Sequence, residues 1–389
     1  CTLSSITNLC KSFGGIIMIK CQVVVEAMDR LAPRYLAENW DNVGLLIGNP
    51  AQEITKILTC LDVTEKVIDK AICENYNMII SHHPFLFKGI KKIATDKPLG
   101  RMLQKILSNN IAIFAAHTNL DTTYGGVNDV LAQKLQLTEV KPLTISYREE
   151  ILKLGVNVPS DYADAVREAL AKAGAGAIDN YSDCSFTYNG TGYFKPLENS
   201  NPFIGQQNKL SNVQEVRIET ILPSKIKNRV IKAMLKAHPY EVPAWDIIPT
   251  ENIYHENGLG RIGKLANPIT LDEFAQRIKQ SLPGDTFRYV KGNDKLVKKV
   301  ALCSGAGVEF LDKAAMQGAD TYITGDVKYH EAQHAQELGI NIIDAGHFGT
   351  ELPIVETLAQ YLQEENIKQK WQITITADND ATDVFTTIK

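Results

Sequence analysis

Two distant stretches of the chain carry the same arrangement of a histidine and a carboxylate. His117 precedes Asp121 by four residues, and His347 precedes Glu351 by four residues, each after a short apolar run typical of a β-strand. Imidazole nitrogens and carboxylate oxygens are common ligands of divalent metal ions in proteins. The repeated pair therefore predicts one metal site that is assembled from two related parts of the chain.

A third cluster with the same chemistry is the consecutive pair His82 and His83, which Pro84 follows. Neighbours on a continuing strand point to opposite faces, but where the strand ends at Pro84 the two rings can diverge less and serve two adjacent ions. His347 and Glu351 stand at a predicted helix start and share one face of it. A carboxylate has two oxygens, so we interpret Glu351 as a bridge between ions about 3.5–4 Å apart.

The repetition extends upstream of the histidine–acid pairs. Ile68-Asp69-Lys70-Ala71 recurs as Leu311-Asp312-Lys313-Ala314, and Cys60 and Cys303 precede the two copies at the same offset. Internal repeats of this kind indicate one structural unit used twice, although a chance similarity of two helix-then-strand patterns is the alternative. The predicted β-α-β-α-β-α copies are residues 57–136 and 300–363.

Strand and helix patterns alternate in both parts of the chain that carry these residues. This alternation predicts an α/β fold with a mostly parallel sheet covered by helices. Each histidine cluster follows a predicted strand, at the sheet edge where ligands bind in open α/β sheets. Among the predicted elements are the strand Asn77–Ile80, the helix Val327–Leu338 and the final strand Trp371–Thr376.

The region between the two parts has a different order, β-α-β-β-α-β, which is the split βαβ order of ferredoxin-like folds. A compact domain inserted between two halves of another domain is the simplest account, and we expect the glycine-rich segment Asn257–Gly263 to be the return linker. Met18 resembles a natural start, so the residues before it are expected to be a tag or extension. The predicted organisation is 1–17 extension, 18–147 first half, 148–255 insert and 256–389 second half.

Size and composition are those of an ordinary globular protein. The 389 residues contain 41 basic and 45 acidic side chains, a net charge of −4, which gives no electrostatic argument for binding nucleic acid or a membrane. No apolar run reaches the roughly 18 residues of a membrane helix. Seven cysteines without Cys-x-x-Cys spacing fit a reducing environment, so we expect a cytoplasmic location.

Two further motifs have competing interpretations. His330-Glu331-Ala332-Gln333-His334 matches the H-E-x-x-H helix of zinc proteases, but a protease would leave His82, His83 and both histidine–acid pairs unexplained. An ordinary amphipathic helix is the simpler interpretation. The glycines within Asn257–Gly263 resemble a dinucleotide fingerprint, but we expect a flexible return turn because no helix follows directly.

Together these motifs resemble the GTP cyclohydrolase I type 2 homologue family, also called the Nif-three-like dinuclear metal proteins. The resemblance extends from Met18 to the C-terminus, and the central region is similar to the PII/CutA-like insert of the long members. The matching segments are Trp40–Leu45, Ser81–Pro84, His117–Asp121, Thr324–Asp326, Gly346–Glu351 and, in the insert, Gly174–Ala177, Asn180–Ser182, Gly190–Gly192 and His238–Asp246.

The resemblance implies a site with two divalent ions per subunit and a ring-shaped homohexamer with trimer contacts through the inserts. His117 and His330 are implied near the bound water or substrate, as candidates for proton transfer. Asp326, which aligns with His83 in the repeat, is expected to support a ligand. The implied metal ligands are His82, His83, Asp121, His347 and Glu351.

Such a centre favours small anionic substrates and can activate water. The predicted function is therefore a metal-dependent hydrolase acting on a nucleotide or another phosphorylated small molecule, similar to a GTP cyclohydrolase. The alternative is a non-enzymatic, metal-dependent binding or regulatory ring whose PII-like insert senses or gates a ligand. The residue types suit zinc, iron, manganese or nickel without choosing among them. A ring threading nucleic acid has no support from the net charge.

Overall fold

The computed structural model describes residues 11–13, 16–285 and 287–386. Of the predicted extension 1–17, residues 1–10 and 14–15 lie outside the described residues. The chain divides into two compact units, one formed by Tyr147–Glu256 and the other by the segments on either side of it. No helix in the described part of the chain combines the length and apolar character needed to cross a bilayer.

The first segment of the larger unit alternates strands and helices, as predicted. Its elements are β1 (Lys11–Phe13), β2 (Ile16–Lys20), α1 (Cys21–Leu31), β3 (Gly44–Ile47), β4 (Glu53–Ile54), β5 (Lys56–Cys60), α2 (Glu65–Cys73), β6 (Met78–Ser81), α3 (Pro98–Ser108), β7 (Ala112–Ala115), α4 (Thr118–Thr122), α5 (Val127–Lys134) and β8 (Thr138–Pro142).

The smaller unit has the element order β-α-β-β-α-β. Its strands form one sheet in the order β10-β11-β9-β12, with β11 antiparallel to both β10 and β9. Val166 and Leu170 of one helix and Val230 and Met234 of the other are buried in its core. The elements are β9 (Tyr147–Pro159), α6 (Ala163–Lys172), β10 (Ser185–Phe194), β11 (Ser211–Pro223), α7 (Lys227–Ala237) and β12 (Trp245–Asn257).

The last segment returns to the larger unit and again alternates strands and helices. Its elements are β13 (Arg261–Ile269), α8 (Leu271–Ser281), β14 (Arg288–Val290), β15 (Val297–Leu302), α9 (Leu311–Met316), β16 (Thr321–Thr324), α10 (Tyr329–Glu337), β17 (Asn341–Asp344), α11 (His347–Glu351), α12 (Pro353–Gln369) and β18 (Thr374–Ala377).

Two sheets form the framework of the larger unit. One has the order β18-β5-β6-β7-β3, in which β18, β5, β6 and β7 are parallel, and the other has the order β14-β17-β16-β15-β13-β8, in which β15, β16 and β17 are parallel. Each half contributes a strand to the other half's sheet, since β18 comes from the C-terminal segment and β8 from the N-terminal one. The predicted α/β class is confirmed.

The central residues of the parallel strands β6 and β17 are apolar, and both faces of these strands are covered. In β6, Met78 and Ile80 face one core cluster and Ile79 faces another, as the alternation of side chains along a strand requires. In β17, Ile342 and Ile343 divide in the same way between two cores of the second sheet. This double burial holds the strands rigidly and fixes the positions at which they end.

The glycine-rich segment Asn257–Gly263 runs from the last residue of β12, through a bend at residues 259–260, into β13, which Arg261 opens. The guanidinium of Arg261 is fully buried and donates to both carboxylate oxygens of Asp129, at 2.6 and 2.9 Å, and to the carbonyl of Thr123 at 2.7 Å. This network joins the second half of the larger unit to α4 and α5 of the first half.

Several predicted boundaries need correction. The helix predicted over Val327–Leu338 begins at Tyr329, where the carboxylate of Glu331 accepts the backbone N–H of Lys328 at 2.7 Å. The last strand begins at Thr374 rather than at Trp371, whose side chain is buried in the core. Residues 245–257 form one long strand, although only its first residues have the apolar character that predicts a strand.

Candidate metal centre

The residues singled out by sequence follow the carboxyl ends of parallel strands. His82 and His83 follow β6, His117 follows β7, and His347 follows β17. Backbone hydrogen bonds from His82 N–H to the carbonyl of Cys60 and from His83 N–H to the carbonyl of residue 61 continue the strand pairing to the first residues of the loop. The loops that carry the histidines are therefore anchored to the rigid sheet edge.

The four histidines are all oriented by a hydrogen bond at Nδ1. His82 donates to the carbonyl of Ala116 at 2.8 Å, in contrast to the other three, which each donate to a carboxylate. Because these oxygens can only accept, each Nδ1 carries a proton, and Nε2 is the nitrogen that each ring can offer to a metal ion. Metal-binding imidazoles have this arrangement. The three carboxylate pairs are His83–Asp62 at 2.8 Å, His117–Asp41 at 2.9 Å and His347–Asp326 at 2.8 Å.

The Nε2 atoms converge on the carboxylate of Glu351. Oε2 of Glu351 lies 2.9 Å from Nε2 of His83 and 3.1 Å from Nε2 of His347, and Oε1 lies 3.8 Å from Nε2 of His82. Nε2 of His82 also lies 3.6 Å from Oδ1 of Asp121. The imidazoles of both halves thus meet at one carboxylate, as the sequence interpretation of Glu351 requires.

Three overlapping groups in the described part of the chain have the composition and spacing to hold a metal ion, with ligand atoms within 4.8 Å of one another. Together they contain six residues, of which five are the predicted ligands and the sixth is His117. The groups are His82–His83–His117, His83–His347–Glu351 and His82–Asp121–Glu351.

The buried polar atoms of this centre fit a bound cation. Nε2 of His82 and Oε2 of Glu351 are buried and have no hydrogen-bond partner among the described residues, although imidazole nitrogens lie near that oxygen. A buried donor or acceptor without a partner is costly. A divalent ion would satisfy the lone pairs of both atoms at once, so the residues present fit a metal.

The charges of the centre also favour a cation. Burial raises the pKa of Asp121, whereas for Glu351 the neighbouring His347, His82 and His83 outweigh burial and hold the pKa well below its usual range. Burial of His83 opposes its protonation, but Asp62 and Glu351 outweigh it and raise the pKa of His83 to about 10. Glu351 raises the pKa of His347 to about 9 despite partial burial. The carboxylates therefore attract positive charge to the site.

Two backbone features of the second half position the side chains of Glu351 and His347 in the centre. Gly305 follows β15 with a φ of +60°, and a Cβ atom there would lie 2.2 Å from Oε1 of Glu351. Asp326 follows β16 and has a φ of +57°, in the left-handed region that non-glycine residues seldom adopt. The first feature makes room for the Glu351 carboxylate, and the second directs the Asp326 carboxylate to His347.

His330 and His334 are not members of the three metal-competent groups of the described residues. The ring of His330 contacts Tyr329 and the side chain of Gln333, and His334 pairs with Asp312 at 3.1 Å. Glu331 caps its own helix. The arrangement is that of an ordinary surface helix and offers no support for the protease alternative, and proton transfer by His330 stays a prediction.

Sequence reasoning missed the carboxylates that orient His83 and His117. Asp41 is buried, and although burial opposes its ionisation, hydrogen bonds from His117 and Thr118 outweigh it and lower the pKa of Asp41 to about 2. Asp41 lies in the Trp40–Leu45 segment that carried the family resemblance, which was a usable signal. The sequence signal for Asp62 was weaker: this residue lies two positions after a buried strand.

Comparison with known proteins is consistent with this geometry. The family model for Duf34/NIF3 (NGG1p interacting factor 3) matches residues 19–383. A Bacillus subtilis protein named GTP cyclohydrolase 1 type 2 homolog is 42% identical over 365 residues, which cover 94% of this chain and 98% of that protein. A Halalkalibacterium halodurans protein of the same name is 43% identical over 367 residues, covering 94% and 98%.

A solved structure has the same fold. The crystal structure of a Bacillus cereus protein related to NIF3 superposes with a TM-score of 0.88 at 42% sequence identity, covering 95% of this chain and 99% of that one. The resemblance read from the motifs in the sequence is therefore confirmed over nearly the whole length.

Proposed function

Because this chain belongs to the Duf34/NIF3 family, we propose that it is a dinuclear metal-dependent hydrolase that acts on a nucleotide or another small phosphorylated molecule. The observation that carries the proposal is the set of four imidazoles that are each held at Nδ1 by a protein oxygen and that form, with the partly buried Asp121 and the buried Glu351, three overlapping groups able to hold a metal ion. The names of the relatives support the substrate class.

Two of the metal-competent groups support a pair of ions. His82, Asp121 and Glu351 form one group, His83, His347 and Glu351 form the other, and Glu351 is the residue they share. A shared carboxylate is the usual bridge of a two-metal site. Zinc, iron, manganese and nickel all suit this donor set, and we make no choice among them.

The remaining residues of the centre assist the chemistry. When bound, the ions would supply Lewis acidity and lower the pKa of a coordinated water towards about 7. His117 holds its proton on Nδ1 against Asp41, so its Nε2 is free to accept a proton from water or to pass one to a leaving group. Asp41 also accepts the backbone N–H of Thr118 at 3.0 Å, which fixes this pair at the start of α4.

The central unit fits the proposed ferredoxin-like, PII/CutA-like insert. Its element order is β-α-β-β-α-β, and its sheet order β10-β11-β9-β12 places the first and third strands at the centre, as the split βαβ arrangement requires. The ring-shaped homohexamer and the trimer contacts through the inserts remain predictions. The five described cysteines are all free thiols, which supports the cytoplasmic location within this proposal.

Metal analysis together with a turnover screen tests the proposal. Protein purified without chelator is expected to contain close to two divalent ions per chain and to hydrolyse GTP or another phosphorylated compound. Chelation and His347→Ala should each abolish turnover, whereas His334→Ala, outside the centre, should not. Tight binding of nucleotides without turnover would favour the regulatory ring instead, and salt-sensitive DNA binding would favour the ring that threads nucleic acid.

A further inference from the structure

A cleft is formed by a segment that follows the His82-His83 pair in the sequence. It has a volume of about 580 Å³ and is lined by residues 85–92 together with Leu99. The lining segment begins two residues after His83. Phe85, Leu86 and Ile90 are partly buried against the core beneath it, so the floor of the cleft is held in place by packing.

Two exposed aromatic rings lie beside the ring of His117. The rings of Trp40 and Phe87 are 59% and 44% exposed and lie 5.7 Å apart. Each is 6.2 Å from the ring of His117. Phe87 also lines the cleft. Exposed aromatic rings grouped at one place mark surfaces that bind a partner or ligand, and flat rings of this kind stack on planar heterocycles.

The cleft also carries positive charge. Lys88, Lys91 and Lys92 all line it and are all exposed. Within the described part of the chain, none of the three forms an ion pair with an acidic side chain, in contrast to Lys97, which lies 3.7 Å from Asp96. Three unpaired lysines in a chain with a net charge of −4 are a local attraction for an anion such as a phosphate.

We infer that the cleft and the two aromatic rings form the substrate subsite of the proposed hydrolase. The ring of a nucleotide stacks on Trp40 and Phe87, and its phosphates bind Lys88, Lys91 and Lys92. The two aromatic rings each lie 6.2 Å from the ring of His117, so the heterocycle is the part presented to the centre. This inference rests on the proposed function and assigns the residues that select the substrate.

Equilibrium binding tests the subsite separately from turnover. Binding of GTP and of guanosine is measured by calorimetry on the full-length, metal-loaded protein. The double variant Lys91→Ala/Lys92→Ala is expected to weaken GTP binding about 10-fold or more and to leave guanosine binding within twofold, since guanosine has no phosphate. Phe87→Leu should weaken both ligands roughly 5- to 150-fold, as loss of one stacking partner does.

Matched controls separate these effects from a general loss of charge or fold. Lys232→Ala/Lys236→Ala removes two exposed lysines of α7 and should leave both affinities unchanged. Trp40→Phe should retain stacking and remove the Trp40 contribution to ligand-induced fluorescence quenching. The melting temperatures of all variants are compared, so that unfolding is not mistaken for lost binding.

The outcomes distinguish this subsite from the proposed function. If no substrate is turned over but GTP binding still depends on Lys91, Lys92 and Phe87, the hydrolase is wrong and the subsite stands. If GTP is turned over and its affinity is unchanged in both the lysine double variant and Phe87→Leu, the subsite is wrong and the hydrolase stands. Equal weakening of GTP and guanosine by the lysine variant would also overturn the assignment of the phosphates.

Discussion

The two halves of the metal centre have the same order of elements but different burial. In the first half, β5-α2-β6-α3-β7-α4 ends with Asp121, and in the second half, β15-α9-β16-α10-β17-α11 ends with Glu351. The first half supplies His82, which is fully buried, whereas the side chain of His347 in the second half is 40% exposed. The first half thus supplies the more buried histidine, whereas the second half supplies the more buried carboxylate, since the side chain of Glu351 is 5% exposed and that of Asp121 is 13% exposed.

Equivalent positions have different roles in the two halves. In the register of the repeat, His83 aligns with Asp326, and Asp62 aligns with Gly305. In the first half His83 faces the centre and Asp62 orients it, whereas in the second half Asp326 orients His347 and Gly305 leaves room for Glu351. One backbone unit can therefore present either a ligand or its supporting carboxylate at the same site.

The largest change in the free energy of unfolding is expected at the ion pair between Arg261 and Asp129, which joins the two halves of the larger unit. Arg261→Met removes a fully buried guanidinium and leaves the partly buried Asp129 carboxylate without its ion-pair partner, and we expect the free energy of unfolding to fall by about 3–5 kcal/mol. Urea unfolding of the full chain measures this. Arg101→Gln, which removes an exposed ion pair with Glu65, should cost no more than about 1 kcal/mol.

A double variant checks the cause of that loss. Arg261→Met/Asp129→Leu removes both charges, so it should be more stable than Arg261→Met alone. Equal stability of the two variants would show that the Arg261 ion pair does not hold the halves together.

Glu351→Gln should break the connection between the halves at the centre itself. Glu351 lies near imidazoles of both halves, so the loss of metal affinity is expected to exceed the roughly 10–100-fold that removal of an outer carboxylate causes. Competition with a coloured chelator gives the affinity, and elemental analysis gives the metal content. Glu356→Gln changes an exposed acid in the next helix and should bind metal normally. Full metal occupancy in Glu351→Gln would refute the bridging role.

The supporting carboxylates allow a direct comparison of the halves. Asp62 and Asp326 lie at the same distance from Nδ1 of their histidines and are exposed to similar extents, 54% and 51%. We therefore expect Asp62→Asn and Asp326→Asn to lower metal affinity by similar factors, about 10–100-fold, in the same chelator competition. Asp69→Asn removes an exposed partner of Lys105 and serves as the control. A tenfold difference between the two variants would mean that the halves support their ligands unequally.

The smallest expected loss of stability concerns the N-terminal caps of one helix from each segment of the larger unit. The hydroxyl of Thr64 accepts one backbone N–H at the start of α2, whereas Thr270 and Glu273 form a reciprocal capping box at the start of α8. Thr64→Ala and Thr270→Ala should each cost about 1 kcal/mol of unfolding free energy, with the larger loss at Thr270 because two hydrogen bonds are affected. Thermal melts measure this, and unchanged metal content shows that the cap is independent of the centre.

The metal-binding candidates could be predicted because their signal is local. His82 and His83 are neighbours, and each histidine–acid pair spans a single helical turn, so the residue types and spacing carry the chemistry. The apolar runs before them mark strands, and a parallel sheet brings strand ends to one edge. That combination was enough to predict one metal site built from these clusters, whereas the choice of five ligands among them came from the family resemblance.

The features that were missed depend on contacts between distant residues. Asp62 orients His83 from a separate strand end, and no periodicity distinguishes it from an ordinary surface acid. Arg261 stands among glycines, and its burial follows from packing against Asp129, which is 132 residues away. The long strand β12 is polar along most of its length. It is therefore the pairing with β9, and not the pattern of its own residues, that determines its extended structure.

The left-handed backbone at Asp326 places two demands on one residue. A glycine there would relieve the unfavourable φ, which costs about 1–3 kcal/mol for such conformations, but it would leave the His347 ring without an anchor. The backbone preference and the hydrogen bond to His347 therefore favour different residues at this position. A more heat-stable variant that keeps this hydrogen bond would have to gain its free energy of unfolding at other positions and retain the unfavourable φ of Asp326.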